Sequence, residues 1–218
     1  MTKIALIHAV QAAMAPIEDA FSRLWPEARR TNLFDDSLPA DREEAGRLTP
    51  DLSRRIMSLA AYATGTGANA VLFTCSAFGE AIEAAARALP VPVLKPNEAM
   101  FEAALGTGHR IGMLATFAPA VSSMEDEFRA LARRHGSTAA IETLIVPGAR
   151  AALLAGDISE HDRLVAEAAS AFSHCDAVLL AHFSMATAEG TVKSRISPIV
   201  LSAPSSAILK IKSELKVS

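Results

Sequence analysis

Cys75 and His182 are the residues whose types and positions are best suited to proton transfer. Each follows a short, mostly apolar run, 70–74 and 177–181 respectively, of the kind that forms a buried strand. A thiol and an imidazole both exchange protons near neutral pH, because their reference pKa values are about 8.5 and about 6.5. Taken singly, Cys75 could equally well be a small buried structural residue, and a single histidine is more often structural than catalytic.

An internal repeat favours a functional interpretation of both residues. The repeated segments are Ala70–Cys75 with Ala177–His182, Lys3–Leu6 with Arg110–Met113 and, shifted by one residue, Val91–Leu94 with Ser197–Val200. Three strand-like segments that recur at an offset of about 107 residues indicate a duplicated chain. In a duplicated chain whose halves face each other, equivalent positions point into one cleft. The sequence therefore predicts a cleft with Cys75 on one side and His182 on the other.

Each half belongs by its pattern to the α/β class, with a parallel sheet covered by helices on both faces. The predicted strands are 3–8, 29–34, 69–74 and 91–94 in the first half, and 110–115, 140–145, 176–181 and 198–201 in the second. The predicted helices include 16–25, 50–64, 78–88, 97–105 and 204–214, and Thr49-Pro50 is typical of a helix start. We predict a first domain of residues 1–97 and a second of residues 98–203. The C-terminal helix, within 204–218, is predicted to pack back on the first domain.

The loops at the carboxyl ends of parallel strands predict the other site residues, because ligands bind at that edge. The candidate substrate-binding residues are His8, Gln11, Thr74, Ser76, Ala77, Thr116, Phe117, Phe183 and Ser184. Hydroxyl donors, and backbone N–H groups at two helix starts, would hold a small carboxylate. The helix start after Cys75 also predicts a lowered thiol pKa. His8 and Gln11 have a structural alternative, and Asp35-Asp36-Ser37 is either an ordinary turn or a loop that caps the cleft.

The composition argues against several other classes of function. A formal charge of −3 gives no reason to expect a nucleic acid as partner, and no apolar run reaches the roughly 20 residues that cross a membrane. The histidines and acidic residues lack metal-ligand spacing, and no glycine-rich phosphate loop joins a strand to a helix, so we expect no metal and no cofactor. Two cysteines, Cys75 and Cys175, make no disulfide framework, which indicates a reducing, cytoplasmic location. Cys175 precedes its strand and is interpreted as structural.

Three motifs, Phe73–Ala77, Val91–Leu94 followed by Asn97–Ala99, and Arg110–Thr116, resemble those of the aspartate/glutamate/hydantoin racemase superfamily. The resemblance covers essentially the whole chain. It implies two flavodoxin-like halves related by pseudo-two-fold symmetry, catalysis without a cofactor, and a homodimer or larger homo-oligomer. It also implies a cysteine at a strand end of each half. One cysteine removes a proton alpha to a carboxylate or carbonyl, and the other protonates the opposite face.

The first of those cysteines corresponds to Cys75, whereas His182 occupies the position of the second. The resemblance thus implies an isomerase, a racemase or epimerase that acts on a small carboxylate or cyclic amide, with Cys75 and His182 as its acid–base pair. Such a pair is asymmetric and favours proton transfer in one direction. The alternatives are a lyase, such as a decarboxylase, or a hydrolase that uses Cys75 as proton donor or nucleophile, and a non-catalytic binding protein, because fold alone does not prove activity.

Overall fold

The protein is described here by a computed structural model that covers residues 1–217. Ser218, the last residue of the segment predicted to carry the C-terminal helix, lies outside the described residues. The contacts within the chain divide it into two units. The first comprises Met1–Pro96 together with the chain from Ala207 onward, and the second comprises Asn97–Ser206.

The first unit is a parallel sheet with helices between its strands. Its elements are β1 (Lys3–His8), α1 (Met14–Leu24), β2 (Arg29–Phe34), α2 (Leu38–Ala45), α3 (Pro50–Gly65), β3 (Ala70–Phe73), α4 (Gly79–Ala88) and β4 (Val93–Leu94). The strand order is β2-β1-β3-β4, and every neighbouring pair is parallel. The predicted start of α3 is confirmed: Thr49 Oγ1 accepts a hydrogen bond from the Leu52 N–H at 3.2 Å, and Pro50 is the first helical residue.

The second unit repeats this arrangement. Its elements are α5 (Glu98–Leu105), β5 (Arg110–Ala115), α6 (Val121–Arg134), β6 (Ala140–Ile145), α7 (Ala149–Leu154), α8 (Ile158–Ala169), β7 (Ala177–Leu180), α9 (Glu189–Lys193), β8 (Ile199–Ser202) and the start of α10 (Ala203–Glu214). The strand order is β6-β5-β7-β8, again all parallel. The later residues of α10 belong to the first unit, where Lys212 Nζ lies 5.9 Å from the centre of the Trp25 ring.

The predicted α/β class is confirmed, and the strand register sharpens the internal repeat. Ile7 pairs with Phe73 in the first sheet, and Leu114 pairs with Leu180 in the second. Each residue of the first pair is therefore separated from its counterpart in the second pair by the same offset of about 107 residues. The one-residue shift predicted for the last strands is wrong, because Val71 pairs with Val93 and Val178 pairs with Val200. A short apolar run fits either alignment, and only the pairing with the neighbouring strand decides between them.

The structure has two helices, α2 and α3, where the sequence predicts one between the second and third strands. Helix α2 carries only one buried residue, Leu38, and therefore shows no apolar stripe from which a helix could be predicted. In the core of the second unit, Gly112 of β5 allows a close approach of helical residues to the sheet. A Cβ atom at Gly112 would lie 2.5 Å from the Phe172 ring, so a larger residue there would displace that side chain.

Candidate active site

Cys75 lies two residues beyond the end of β3 and opens a short 3₁₀ turn, Ser76–Phe78, that leads into α4. Its side chain is half-buried. Burial raises the pKa of the Cys75 thiol above its usual range, and a hydrogen bond from the Ala77 N–H only partly offsets that effect. The predicted lowering of this pKa is therefore wrong, because desolvation outweighs the favourable backbone N–H. The thiol is neutral at pH 7.

The neighbours of Cys75 differ widely in exposure. Thr74 is buried, Ser76 is half-buried and Ala77 is exposed. The Ala77 N–H, predicted to bind an anion, is directed to the Cys75 sulfur instead. The structure thus places a hydroxyl group on each side of the thiol along the chain, at the carboxyl end of β3.

His8, at the end of β1, is fully buried, and both of its ring nitrogens have protein partners. Nδ1 lies 3.0 Å from Thr74 Oγ1, and Nε2 lies 2.9 Å from Asn32 Oδ1. Burial lowers the pKa of His8, and the hydrogen bond to Asn32 and the charge of Glu18 only partly oppose that shift. This placement favours the structural alternative for His8 over direct contact with a substrate. Gln11 is exposed at the start of a 3₁₀ turn beyond β1.

His182 occupies in the second unit the position that Cys75 has in the first. It lies two residues beyond the end of β7 and opens a 3₁₀ turn, Phe183–Ala188. Its side chain is half-buried, and its buried Nε2 has no hydrogen-bond partner among residues 1–217. Burial, assisted by the positive charge of Arg150, lowers the pKa of His182 to about 4. His182 is therefore a neutral imidazole at pH 7 with an unused nitrogen.

The other predicted residues of the second unit lie at the same sheet edge. Thr116 is buried after β5, Phe117 is exposed, Phe183 is buried and Ser184 is half-buried. The residues after His182 start a 3₁₀ turn rather than the predicted α-helix.

Arg150 is a candidate site residue that the sequence analysis missed. It lies in the first turn of α7, exposed, with its guanidinium carbon 4.2 Å from the centre of the Phe117 ring. Its charge also lowers the pKa of His182, so this cation contacts one predicted site residue and acts electrostatically on another. No local pattern marks Arg150, because α7 is a six-residue helix after a loop. The sheet alone brings this loop to the carboxyl ends of β5 and β7.

Two polar contacts brace the segments that carry Cys75 and His182. In the first unit, the buried Lys95, which follows β4, donates a hydrogen bond to Glu83 of α4 at 2.6 Å. At the equivalent position of the second unit, Ser202 donates to the buried Glu189 at 2.5 Å. In each unit a carboxylate on the helix after the candidate residue thus reaches the end of the last strand.

Asp35-Asp36-Ser37 belongs to a turn that Arg55 of α3 holds in place. The Arg55 guanidinium binds both Asp35 and Ser37, with Nε 2.6 Å from Asp35 Oδ2, and it also contacts Asp41 of α2 at 2.5 Å. These contacts favour an ordinary structural turn over a loop that caps a cleft.

A membrane-spanning helix and a metal site are both absent from the described part of the chain. Within residues 1–217, no helix has the length and apolar character needed to cross a membrane. Over the same residues, no group of three or more histidine, cysteine, aspartate or glutamate side chains is arranged to hold a metal ion.

The fold is that of known amino-acid and allantoin racemases. An aspartate racemase homologue from Pyrococcus horikoshii aligns with a TM-score of 0.75 and 13% identity, over 99% of this chain and 100% of that chain. An allantoin racemase from Klebsiella pneumoniae aligns with a TM-score of 0.73 and 16% identity, over 100% and 90%. A glutamate racemase from Bacillus anthracis aligns with a TM-score of 0.69 and 14% identity, over 99% of this chain and 82% of that chain. At these identities the likeness establishes the fold.

The family is established by a comparison of the sequence with protein-family models. A model of the Asp/Glu/hydantoin racemase family matches residues 4–211, nearly the whole chain. The protein belongs to that family, as its motifs predict, and is an enzyme of the racemase type. A comparison with curated proteins found no match.

The lowered pKa of His182 predicts a loss of stability in acid. The unfolded chain protonates His182 near pH 6.5 and the folded chain only near pH 4, so protons bind the unfolded state preferentially between these values. The stabilisation is fully present above about pH 6.5 and falls by about 3 kcal/mol towards pH 4. We expect urea unfolding of the wild type and of His182→Gln to show this difference in pH dependence. His8 remains in both proteins, so its own titration cancels. Identical pH dependence in the two proteins would contradict the assignment.

Proposed function

We propose that the protein is a cofactor-independent racemase or epimerase that moves a proton at the alpha carbon of a small carboxylate or cyclic amide, with Cys75 and His182 as acid and base. The observation that carries the proposal is the equivalence of their positions. Both residues lie two positions beyond Phe73 and Leu180, which have equivalent partners in the two sheets. Each strand end therefore carries one group able to exchange a proton.

The protonation states of the two residues support one direction for the first turnover. His182 is neutral, so one of its ring nitrogens has a free lone pair and removes the proton from the alpha carbon, and the electron pair of the C–H bond stays on the substrate. Cys75 is a neutral thiol, so its S–H protonates the opposite face of that carbon. The turnover leaves an imidazolium and a thiolate. Reaction in the opposite direction restores the neutral pair, as reversible racemisation requires.

Arg150 supports a carboxylate as part of the substrate. Its charge opposes protonation of His182, which makes the imidazolium costly to form. A substrate carboxylate paired with the Arg150 guanidinium would cancel that charge and raise the basicity of His182. The exposed face of Phe117, against which the guanidinium packs, keeps Arg150 in place for such a contact.

The experiment is proton exchange in deuterated water, followed by NMR and chiral chromatography. The panel includes both enantiomers of aspartate and glutamate, together with allantoin, hydantoins and malonates, because the structural relatives are aspartate, glutamate and allantoin racemases. We expect deuterium to enter the alpha position with inversion for a substrate of this panel, with no added cofactor and no effect of a chelator. Carbon dioxide release from a malonate would establish the lyase alternative instead. Binding without exchange would leave a binding protein.

A cytoplasmic location and a homodimer or larger homo-oligomer stay predictions. Light scattering of the purified protein measures the second of these directly.

A further inference from the structure

A chain of hydrogen bonds crosses the first unit and ends next to Cys75. Asn32 Nδ2 of β2 donates to Glu18 Oε1 of α1 at 3.2 Å. Asn32 Oδ1 lies 2.9 Å from His8 Nε2, and His8 Nδ1 lies 3.0 Å from Thr74 Oγ1. His8 and Thr74 are buried, so the contact between them is shielded from water, whereas Asn32 is exposed at the outer end of the chain. The sheet order β2-β1-β3 aligns Asn32, His8 and Thr74, and Glu18 reaches Asn32 from α1.

The Glu18 carboxylate, at the outer end of this series of hydrogen bonds, determines which partner donates in each of them. Glu18 forms an ion pair with Arg30 at 3.0 Å, and an ionised carboxylate can only accept hydrogen bonds. The Asn32 amide therefore donates to Glu18 and turns its carbonyl oxygen towards His8. Nε2 of His8 must then carry the hydrogen. Because burial keeps His8 neutral, Nδ1 is an acceptor, and the Thr74 hydroxyl donates to it.

Thr74 consequently offers lone pairs and no hydrogen to any further partner. Its other polar neighbour, the Ile7 carbonyl oxygen at 3.5 Å, is itself an acceptor and cannot use those lone pairs. The sequence analysis predicted a hydroxyl donor for a carboxylate at this position. The hydrogen-bond chain makes Thr74 the opposite, an acceptor directly before the candidate catalytic cysteine.

We propose that Thr74 Oγ1 accepts a hydrogen bond from an N–H group beside the reacting carbon of the substrate, and that His8 is the positioning residue that makes it an acceptor. This proposal rests on the proposed function and narrows its substrate class. Amino acids and cyclic amides carry such an N–H group, whereas malonates do not. The Thr74 acceptor thus selects substrates of racemisation against substrates of the decarboxylation alternative.

The first test needs no substrate. Nitrogen-15 NMR of the full-length protein at pH 7 reports which ring nitrogen of His8 carries the hydrogen. We expect the Nε2–H tautomer, and in Asn32→Leu we expect loss of this fixed preference. An Nδ1–H tautomer in the wild type would make Thr74 a donor and overturn the proposal.

The second test measures selectivity with three probes, namely aspartate, hydantoin and methylmalonate. We expect wild-type binding, followed by NMR shifts, to favour aspartate or hydantoin over methylmalonate. Thr74→Val keeps the shape of the side chain and removes the acceptor, so it should weaken binding of the N–H probe by about 10–100-fold. Thr74→Ser keeps the hydroxyl group and should bind this probe as the wild type does. Thr143→Val, on β6 of the second unit, is a matched control that should leave binding unchanged. For a probe that turns over, the loss should appear in KM more than in kcat.

Two outcomes of the second test overturn the proposal. The first is that the wild type binds the three probes equally or binds none of them. The second is that Thr74→Val binds the N–H probe with unchanged affinity. The proposed function fails separately, when an N–H probe binds with the expected selectivity but exchanges no alpha proton.

Discussion

Cys75→Ser is expected to reduce inversion of the substrate strongly while leaving proton removal in place. A serine hydroxyl is a far weaker acid than a thiol, so it cannot protonate the substrate at a useful rate. We expect racemisation to fall by about 10²–10⁴-fold, the usual contribution of a general acid or base. His182 still removes the alpha proton, and the same nitrogen can return a deuteron from solvent. One enantiomer should therefore exchange its alpha hydrogen without inversion, as NMR in deuterated water would show.

Cys175→Ser is the matched control for this variant. Cys175 is buried and precedes β7, at the opposite end of the sheet from His182, so its loss should change turnover little. Full racemase activity in Cys75→Ser would show that another group supplies the proton. A loss of inversion and exchange together, in a folded protein, would show that Cys75 removes the proton and that the assigned direction is wrong.

The strand ends that carry Cys75 and His182 could be predicted from the sequence because they depend on local patterns. Fully buried strands in parallel sheets are short apolar runs, and β3 and β7 are both of this kind. The duplication then relates the residues that follow them without any knowledge of packing. The same reasoning failed by one residue at β4, where an apolar pair of residues gave no unique alignment.

The electrostatic state of the site could not be predicted in this way, because it depends on packing between distant segments. The pKa of Cys75 reflects burial, which outweighs the N–H group of Ala77 that the local motif does supply. Arg150 reaches Phe117 only through the order of strands in the second sheet. The contact of His8 with Thr74 likewise joins residues 66 positions apart, and nothing in either local pattern marks it.

His182→Gln is expected to reduce racemisation by about 10²–10⁴-fold, because glutamine retains polarity and similar bulk but cannot take up a proton. The wild-type side chain has a buried nitrogen with no described protein partner, so the substitution breaks no hydrogen bond within residues 1–217 at that atom. The folded state should therefore persist at pH 7, as circular dichroism would show. His174→Gln is the matched control, since His174 is exposed and lies before β7. Its activity should equal that of the wild type.

His182→Cys separates the role of the base from the mere presence of a side chain at this position. It creates the two-thiol arrangement that the resemblance to racemases implies for this family. A thiol has a higher reference pKa than imidazole, about 8.5 against about 6.5, and burial raises it further. Activity should therefore return in part relative to His182→Gln, and its rise with pH should move into the alkaline range. In the wild type, by contrast, His182 stays neutral down to about pH 4 and imposes no such alkaline requirement. If His182→Gln keeps full activity, Cys75 acts without this partner, and the lyase or hydrolase alternative takes the place of the two-base mechanism.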